Sequence, residues 1–134
     1  MGEVKKSGIL NREIASVLAR LGHTDTVVIS DCGLPIPEDV QCIDLSVTLG
    51  TPSFWTVLKA VLDDMQVENM TWATEIKEEN DRLLEMVKTS YEEIPVEYMS
   101  HKALKAAIPY AKAVIRTGEA SPYANVILHA GVIF

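Results

Sequence analysis

The fold of this chain is decided by the stretch Leu21-Gly22-His23-Thr24-Asp25-Thr26-Val27-Val28-Ile29-Ser30-Asp31-Cys32-Gly33-Leu34-Pro35-Ile36-Pro37. Its centre, residues 26–30, is a continuous run of apolar and β-branched residues, which is typical of a strand buried on both faces. Glycine and proline mark both ends, so the polar side chains there lie in turns beside a buried strand. His23 precedes this strand and Asp31 follows it. They are either parts of a functional site or ordinary residues that cap a helix end and close a turn.

Working outward, an amphipathic helix precedes the stretch, with Asn11 as its N-cap and Gly22 in a left-handed conformation at its end. Further strands are predicted at residues 42–47, 67–74, 95–99, 113–116 and 126–134, and further helices after Ser53, Asn80 or Asp81, and Ser100. Strands and helices alternate, which predicts a three-layer α/β/α fold with a mixed, mostly parallel sheet and a single domain over residues 1–134. The last strand follows its predecessor without a helix between them, so we expect it to run antiparallel.

Composition narrows the classes of partner. The 134 residues are 48% hydrophobic and 23% charged, with a net charge of −7 and no basic block. This balance argues against nucleic acid and anionic membranes as partners. The first residues lack the apolar run of a signal peptide, and no stretch is long enough to span a membrane, so we expect a cytoplasmic protein. The two cysteines form neither a CxxC pair nor a disulfide framework.

Ionisable residues follow several of the predicted strands. In open α/β sheets ligands bind outside the carboxyl ends of the strands, where Asp31, His101 and a flexible loop around Gly118 are expected. No nucleotide-binding loop, nucleophile motif or metal-ligand spacing is present, and we read His129 as a packed or interface histidine. We interpret residues 75–79 as a solvated charged face. The remaining candidates suit a neutral polyhydroxylated ligand, because their side chains bind hydroxyls and transfer protons near neutral pH; they are His23, Asp31, His101, Tyr123 and Asn125.

Several motifs together resemble one protein family. They are Asn11, Leu21-Gly22-His23-Thr24-Asp25, Asp31-Cys32-Gly33-Leu34-Pro35-Ile36-Pro37, Glu75-Ile76-Lys77, the segment from Ala113 to Glu119, Ser121-Pro122-Tyr123-Ala124-Asn125 and the end Ala130-Gly131-Val132-Ile133-Phe134. Over nearly its full length the chain is similar to the ribose pyranase and fucose mutarotase family. The fucose mutarotases have Arg at the position of His101, and Asn-Phe-Pro where this chain has Gly33-Leu34-Pro35. Both differences place the resemblance on the ribose side.

The resemblance implies a cytoplasmic, cofactor-free isomerase that interconverts β-D-ribopyranose and β-D-ribofuranose, so that ribokinase receives the furanose. It implies no metal, and a ring-shaped oligomer that is usually a homodecamer of two pentamers. It assigns His23 as the proton donor and names as substrate contacts Asp31, His101, Tyr123, Ala124 and Asn125. Three alternatives stay open: an L-fucose-type mutarotase, a sugar-binding protein without turnover, and a metal-dependent sugar isomerase.

The sequence also raises a geometric difficulty. An extended path over the eight residues from His23 to Asp31 covers about 25 Å, far more than one monosaccharide. Either the flanking turns fold back, or neighbouring subunits complete the site. Rings with heterologous contacts repeat such a shared cleft at every interface. The apolar residues 131–134 would suit burial against a neighbour. We therefore predict a site between subunits.

Overall fold

The computed structural model describes residues 7–132. Within that range the strands are β1 (Thr26–Ser30), β2 (Cys42–Asp44), β3 (Val67–Ala73), β4 (Val96–Met99), β5 (Ala113–Arg116) and β6 (Val126–Ala130). The helices are α1 (Arg12–Arg20), α2 (Phe54–Leu62), α3 (Ile76–Glu79), α4 (Asp81–Ser90) and α5 (His101–Ala107), followed by a short 3₁₀ turn, Ile108–Tyr110. None of these helices has the length and apolar character needed to cross a membrane.

All the strands form one sheet in the order β2-β5-β1-β6-β3-β4. β6 is antiparallel to β1 and β3, whereas the pairs β1–β5, β2–β5 and β3–β4 are parallel. The predicted mixed, mostly parallel sheet and the antiparallel last strand are therefore confirmed. β1 and β6 occupy the middle of the sheet, and Val27, Val28 and Ile29 of β1 are completely buried, as expected for a strand covered on both faces.

Helices cover both faces of the sheet, which confirms the three-layer fold. The larger core lies under α1, α2 and α4, and there Phe54 packs against Trp72 with ring centroids 5.8 Å apart. Both rings are fully buried, and burial of one large apolar side chain contributes about 1.5–3 kcal/mol. The smaller core joins Val28 and Val114 to Leu104 of α5. The sheet is packed against a core on each face. The strand ends from which the edge loops begin are therefore held in place.

The predicted helix caps are largely confirmed. Asn11 accepts a hydrogen bond from the amide of Ile14 at 3.0 Å, and Ser53 and Ser100 cap α2 and α5 in the same way. The prediction for Gly22 is wrong, because α1 ends at Leu21 in an extended conformation and the left-handed residue is Thr24, with φ 78°. The turn before β1 is thus made one residue after His23.

Two strands are shorter than predicted. β2 ends at Asp44 and does not reach residue 47, because the Asp44 carboxylate accepts a hydrogen bond from the amide of Ser46 at 2.9 Å. Such an Asx turn draws the chain away from the sheet. β6 ends at Ala130, and residues 133 and 134 of the predicted strand lie outside the described range.

The segment 75–79 differs from its prediction as a solvated charged face. It contains the short helix α3, in which Ile76 is completely buried. Glu75 points to α5, where its carboxylate accepts hydrogen bonds from the amide of His101 at 3.0 and 3.2 Å. The solvated-face interpretation is wrong for these two residues. The apolar side chain of Ile76 within this charged run was the sequence feature that indicated packing against the core.

Candidate active site

One edge of the sheet collects most of the predicted site residues. The parallel strands β1, β3, β4 and β5 all end there, and we call it the carboxyl edge. Because β6 runs against its neighbours, it begins at this same edge. Asp31 follows β1 and His101 follows β4, while Tyr123 and Asn125 directly precede β6. The reversed direction of β6 therefore brings the Tyr-Ala-Asn segment to the residues that follow the parallel strands.

Asp31 and Asn125 form a reciprocal pair. The Asp31 amide donates to Asn125 Oδ1 at 3.0 Å, and Asn125 Nδ2 donates to Asp31 Oδ2 at 3.3 Å. The other carboxylate oxygen, Oδ1, accepts from the amide of Gly33 at 3.0 Å. Asn125 is almost completely buried. The carboxylate is thus held in one orientation by groups whose own positions are fixed.

Burial raises the pKa of Asp31 above its ordinary value, although hydrogen bonds from Gly33, Asn125 and Leu34 and the nearby His101 ring lower it. Between the unfolded and folded pKa values the folded chain binds more protons, so this group's contribution to stability falls as pH rises through that window. Burial therefore disfavours the ionised form of Asp31 in the folded protein, despite its hydrogen bonds. Additional hydrogen bonds from ligand hydroxyls would stabilise the carboxylate.

His101 and Tyr123 form the second pair. Their rings meet edge to face with centroids 5.1 Å apart. Among the described residues His101 Nδ1 is buried without a hydrogen-bond partner. Tyr123 has φ 56°, in the left-handed region that non-glycine residues rarely adopt, and Ala124 after it is completely buried. Strained backbone of this kind is often found at functional sites.

His23 lies at the opposite edge of the sheet from these two pairs. The amide of Thr24 donates to the carbonyl of Ala130, at the far end of β6, and His23 Nε2 lies 3.3 Å from Glu68 Oε1. The regular strand β1 separates His23 from Asp31, and five extended residues span about 16 Å. The turns on either side of β1 do not bring His23 and Asp31 together. Five of the six predicted site residues are thus brought together, and His23 is not among them within one chain.

The residues around Arg116 have structural partners. Arg116 Nη1 donates to Asp44 at 2.8 Å and Nη2 donates to the carbonyl of Cys32 at 2.6 Å, which fixes the loop after Asp31. Gly118 is buried against the backbone of residues 48 and 51, so the expectation of a flexible loop there is wrong. Within residues 7–132 no three His, Cys, Asp or Glu side chains cluster to hold a metal ion.

A family model described as the RbsD / FucU transport protein family matches residues 4–133. The chain belongs to this family. It is 60% identical over 131 residues to a D-ribose pyranase of Exiguobacterium sibiricum and 56% identical over 131 residues to one of Bacillus cytotoxicus. Each alignment covers 98% of this chain and 100% of the relative. The resemblance to the ribose pyranase and fucose mutarotase family, inferred from the motifs, is thus confirmed.

Solved structures of RbsD / FucU relatives have the same fold. The structure of Bacillus subtilis RbsD complexed with D-ribose has a TM-score of 0.93 and 48% identity, over 97% of this chain and 99% of that chain. The fucose mutarotase of Streptococcus pneumoniae in complex with L-fucose has a TM-score of 0.78 and 20% identity, over 93% and 95% of the two chains. At that identity the second comparison supports the fold alone.

Proposed function

We propose that the protein is a D-ribose pyranase, a cofactor-independent isomerase that interconverts β-D-ribopyranose and β-D-ribofuranose. The observation that carries this function is the full-length identity of 60% to a D-ribose pyranase. The two residue pairs at the carboxyl edge support it, because they offer a carboxylate, a carboxamide, a phenol and an imidazole to one small polar ligand. An L-fucose-type mutarotase is disfavoured, because the fucose mutarotase structure is only 20% identical.

The reaction needs only proton transfer. Opening the hemiacetal removes a proton from the anomeric hydroxyl, breaks the bond to the ring oxygen and returns a proton to that oxygen. The open chain then rotates, and the 4-hydroxyl attacks the aldehyde in place of the 5-hydroxyl. Nothing is oxidised and no group leaves. A correctly placed acid or base contributes about 10²–10⁴-fold to such a step.

In this proposal each site residue has a role. His23 gives the proton to the ring oxygen, the role that the family resemblance implies. Asp31 and Asn125 hold neighbouring hydroxyls, and the hydrogen bonds between these two residues confine the sugar to one orientation. His101 and Tyr123 offer a ring nitrogen and a hydroxyl. Ala124 is a substrate contact, as the family resemblance implies.

We further propose that each cleft is shared by two subunits of a ring, in which the His23 edge of one chain faces the carboxyl edge of its neighbour. The position of His23 across the sheet from Asp31 supports this arrangement, since one monosaccharide cannot reach both. A closed ring repeats the contact around its axis. A homodecamer is the expected assembly, and the cytoplasm, where a kinase consumes the furanose, is the expected location.

Saturation-transfer NMR of D-ribose tests the reaction directly. Catalysed exchange between the pyranose and furanose signals is expected to persist in chelator. Binding without exchange would favour a sugar-binding protein, and exchange that stops in chelator would favour a metal-dependent isomerase. L-Fucose in place of ribose is the matched control, and faster exchange of fucose would contradict the ribose assignment.

Mixing two inactive variants tests the shared cleft. We expect His23→Ala and Asn125→Ala each to lose exchange, and a mixture at equal concentration to recover about one quarter of wild-type exchange after subunits redistribute. A cleft is intact only where the Asn125→Ala chain supplies His23 and the His23→Ala chain supplies Asn125. With random pairing each condition holds in about half of the clefts, so about one quarter of the clefts are intact. Mass spectrometry of labelled subunits verifies redistribution. No recovery in redistributed rings would place both residues on one side of the cleft.

Asn125→Ala is expected to weaken ribose binding at least tenfold, with loss of exchange, and to change assembly little. Loss of the carboxamide leaves sugar hydroxyls unpaired. It also removes a hydrogen bond that lowers the pKa of Asp31, so that pKa rises further. Calorimetry measures the affinity, and carboxyl carbon shifts measure the pKa. Unchanged affinity in a dissociated oligomer would assign Asn125 a purely structural role.

A further inference from the structure

Asn80 has an unusual set of hydrogen bonds for its place in the fold. It lies between α3 and α4, at the N-cap of α4, where an asparagine side chain normally accepts a hydrogen bond from the first turn. Its side chain makes no such bond. Instead Nδ2 donates to Ser121 Oγ at 3.0 Å and to the carbonyl of Pro122 at 2.8 Å. The Asn80 side chain thus bonds the loop of residues 121–122 and does not cap α4.

The contacted loop carries Tyr123 and Asn125. The Pro122 carbonyl belongs to the peptide unit that precedes Tyr123, so fixing it restricts the φ angle of Tyr123. That angle is 56°, which the surroundings must hold in place. On the other side the Asn125 amide donates to the Tyr123 carbonyl at 2.9 Å. Asn80 therefore bears on the peptide whose orientation directs the Tyr123 ring toward His101.

A second carboxylate completes the arrangement. Ser121 Oγ donates to Glu119 Oε2 at 2.7 Å and accepts from Asn80. The Ser121 hydroxyl therefore links Asn80 to Glu119, as an acceptor on one side and a donor on the other. The other oxygen, Glu119 Oε1, accepts from the amide of Phe54 at 2.9 Å, at the start of α2. The chain of bonds from Asn80 through Ser121 to Glu119 ties the loop to α4 and α2. We call these three residues the loop clamp.

We propose that Asn80, through the loop clamp, is a positioning residue for the active site that fixes the left-handed Tyr123 against His101 and so sets the affinity for the sugar. This inference rests on the proposed function. Asn80 itself does not need to touch the substrate. Its effect is on the energy of holding Tyr123 in a conformation that an isolated loop would rarely adopt, and loss of the clamp leaves the proton donor His23 unchanged.

Asn80→Asp separates this role from helix capping. Aspartate can cap α4 and its charge suits a helix N-terminus, but it cannot donate to Ser121 or to the Pro122 carbonyl. We expect the KM for ribose exchange to rise about tenfold, kcat to change less than about twofold, and the thermal midpoint not to fall. The His101 ring-proton resonance of the unliganded protein should shift, because the Tyr123 ring moves.

Asn11→Asp is the matched control. Asn11 caps α1 through an oxygen that aspartate retains, so KM and the His101 resonance should stay at wild-type values. Wild-type KM and an unshifted resonance in Asn80→Asp would overturn the proposal, as would a fall in thermal midpoint with no change in KM. If Asn80→Asp does not fold, Ser121→Ala decides: a raised KM supports the loop clamp and an unchanged KM overturns it.

These measurements also separate the inference from the function it rests on. If the wild-type protein does not exchange ribose, the proposed function fails. The His101 resonance is read without sugar, so its shift in Asn80→Asp still supports the placement of Tyr123 by the loop clamp, and its constancy still overturns it.

Discussion

Replacing His23 by alanine is expected to reduce ribose ring exchange about 10²–10⁴-fold, to the limit of detection, while the protein stays folded and assembled. The side chain of His23 is 49% exposed, and its recorded side-chain partner is the equally exposed Glu68. Truncation therefore removes a proton carrier and little packing. Saturation-transfer NMR measures the exchange, and circular dichroism with size-exclusion chromatography measures fold and assembly.

Added imidazole provides a control for His23→Ala, because a small molecule can replace a missing proton donor but not a missing structural contact. Partial recovery of exchange with imidazole is expected. Exchange within about twofold of wild type in the variant would exclude His23 as the acid.

Gly118→Ala is expected to lower the free energy of unfolding by about 3 kcal/mol or more, the upper range for overpacking in a closed site. A Cβ atom at Gly118 would lie 2.6 Å from Thr48 O and from Thr51 N, and closer still to Thr51 O. These are backbone atoms, which cannot rotate away as side chains do. Chemical denaturation of the variant measures the loss.

Gly33→Ala is the matched control for Gly118→Ala. Its nearest atom to a new Cβ, Asp31 Oδ1, is 3.9 Å away, so its cost should stay within about 0.5 kcal/mol. A Gly118→Ala protein within about 1 kcal/mol of wild type would show that the hairpin of residues 48–51 moves freely away from β5.

Most of the fold follows from local pattern. The apolar run before Asp31 predicts β1 at its observed bounds, and Asn11, Ser53 and Ser100 predict the starts of three helices. The errors have two kinds of cause. Asp44 ends β2 through a local bond to the amide of Ser46, whereas Asn80 bonds a loop far along the chain in place of its own helix.

The site is predictable to a similar degree. Asp31 and His101 are identifiable because they follow strands, but the pairing of Asp31 with Asn125 depends on a separation of 94 residues. Tyr123 and Asn125 were candidates from their side-chain chemistry, and the motif resemblance supported them. Glu75, Glu119 and Asn80 were missed, because nothing in their neighbouring residues indicates that they bond to the loops of the carboxyl edge.

The reversed strand β6 has a consequence for how the chain tolerates insertions and deletions. β6 starts beside Asn125 and ends beside the Thr24 turn that follows His23. Its length therefore fixes the distance between these two edges of the sheet. A gained or lost residue within it would turn Ile127 and Leu128 to the opposite faces of the sheet and change the distance between the edges. In the proposed ring, where every chain would serve two clefts, one such event would disable both at once. Variation in length is therefore expected in the loops at residues 35–41 and excluded from β6.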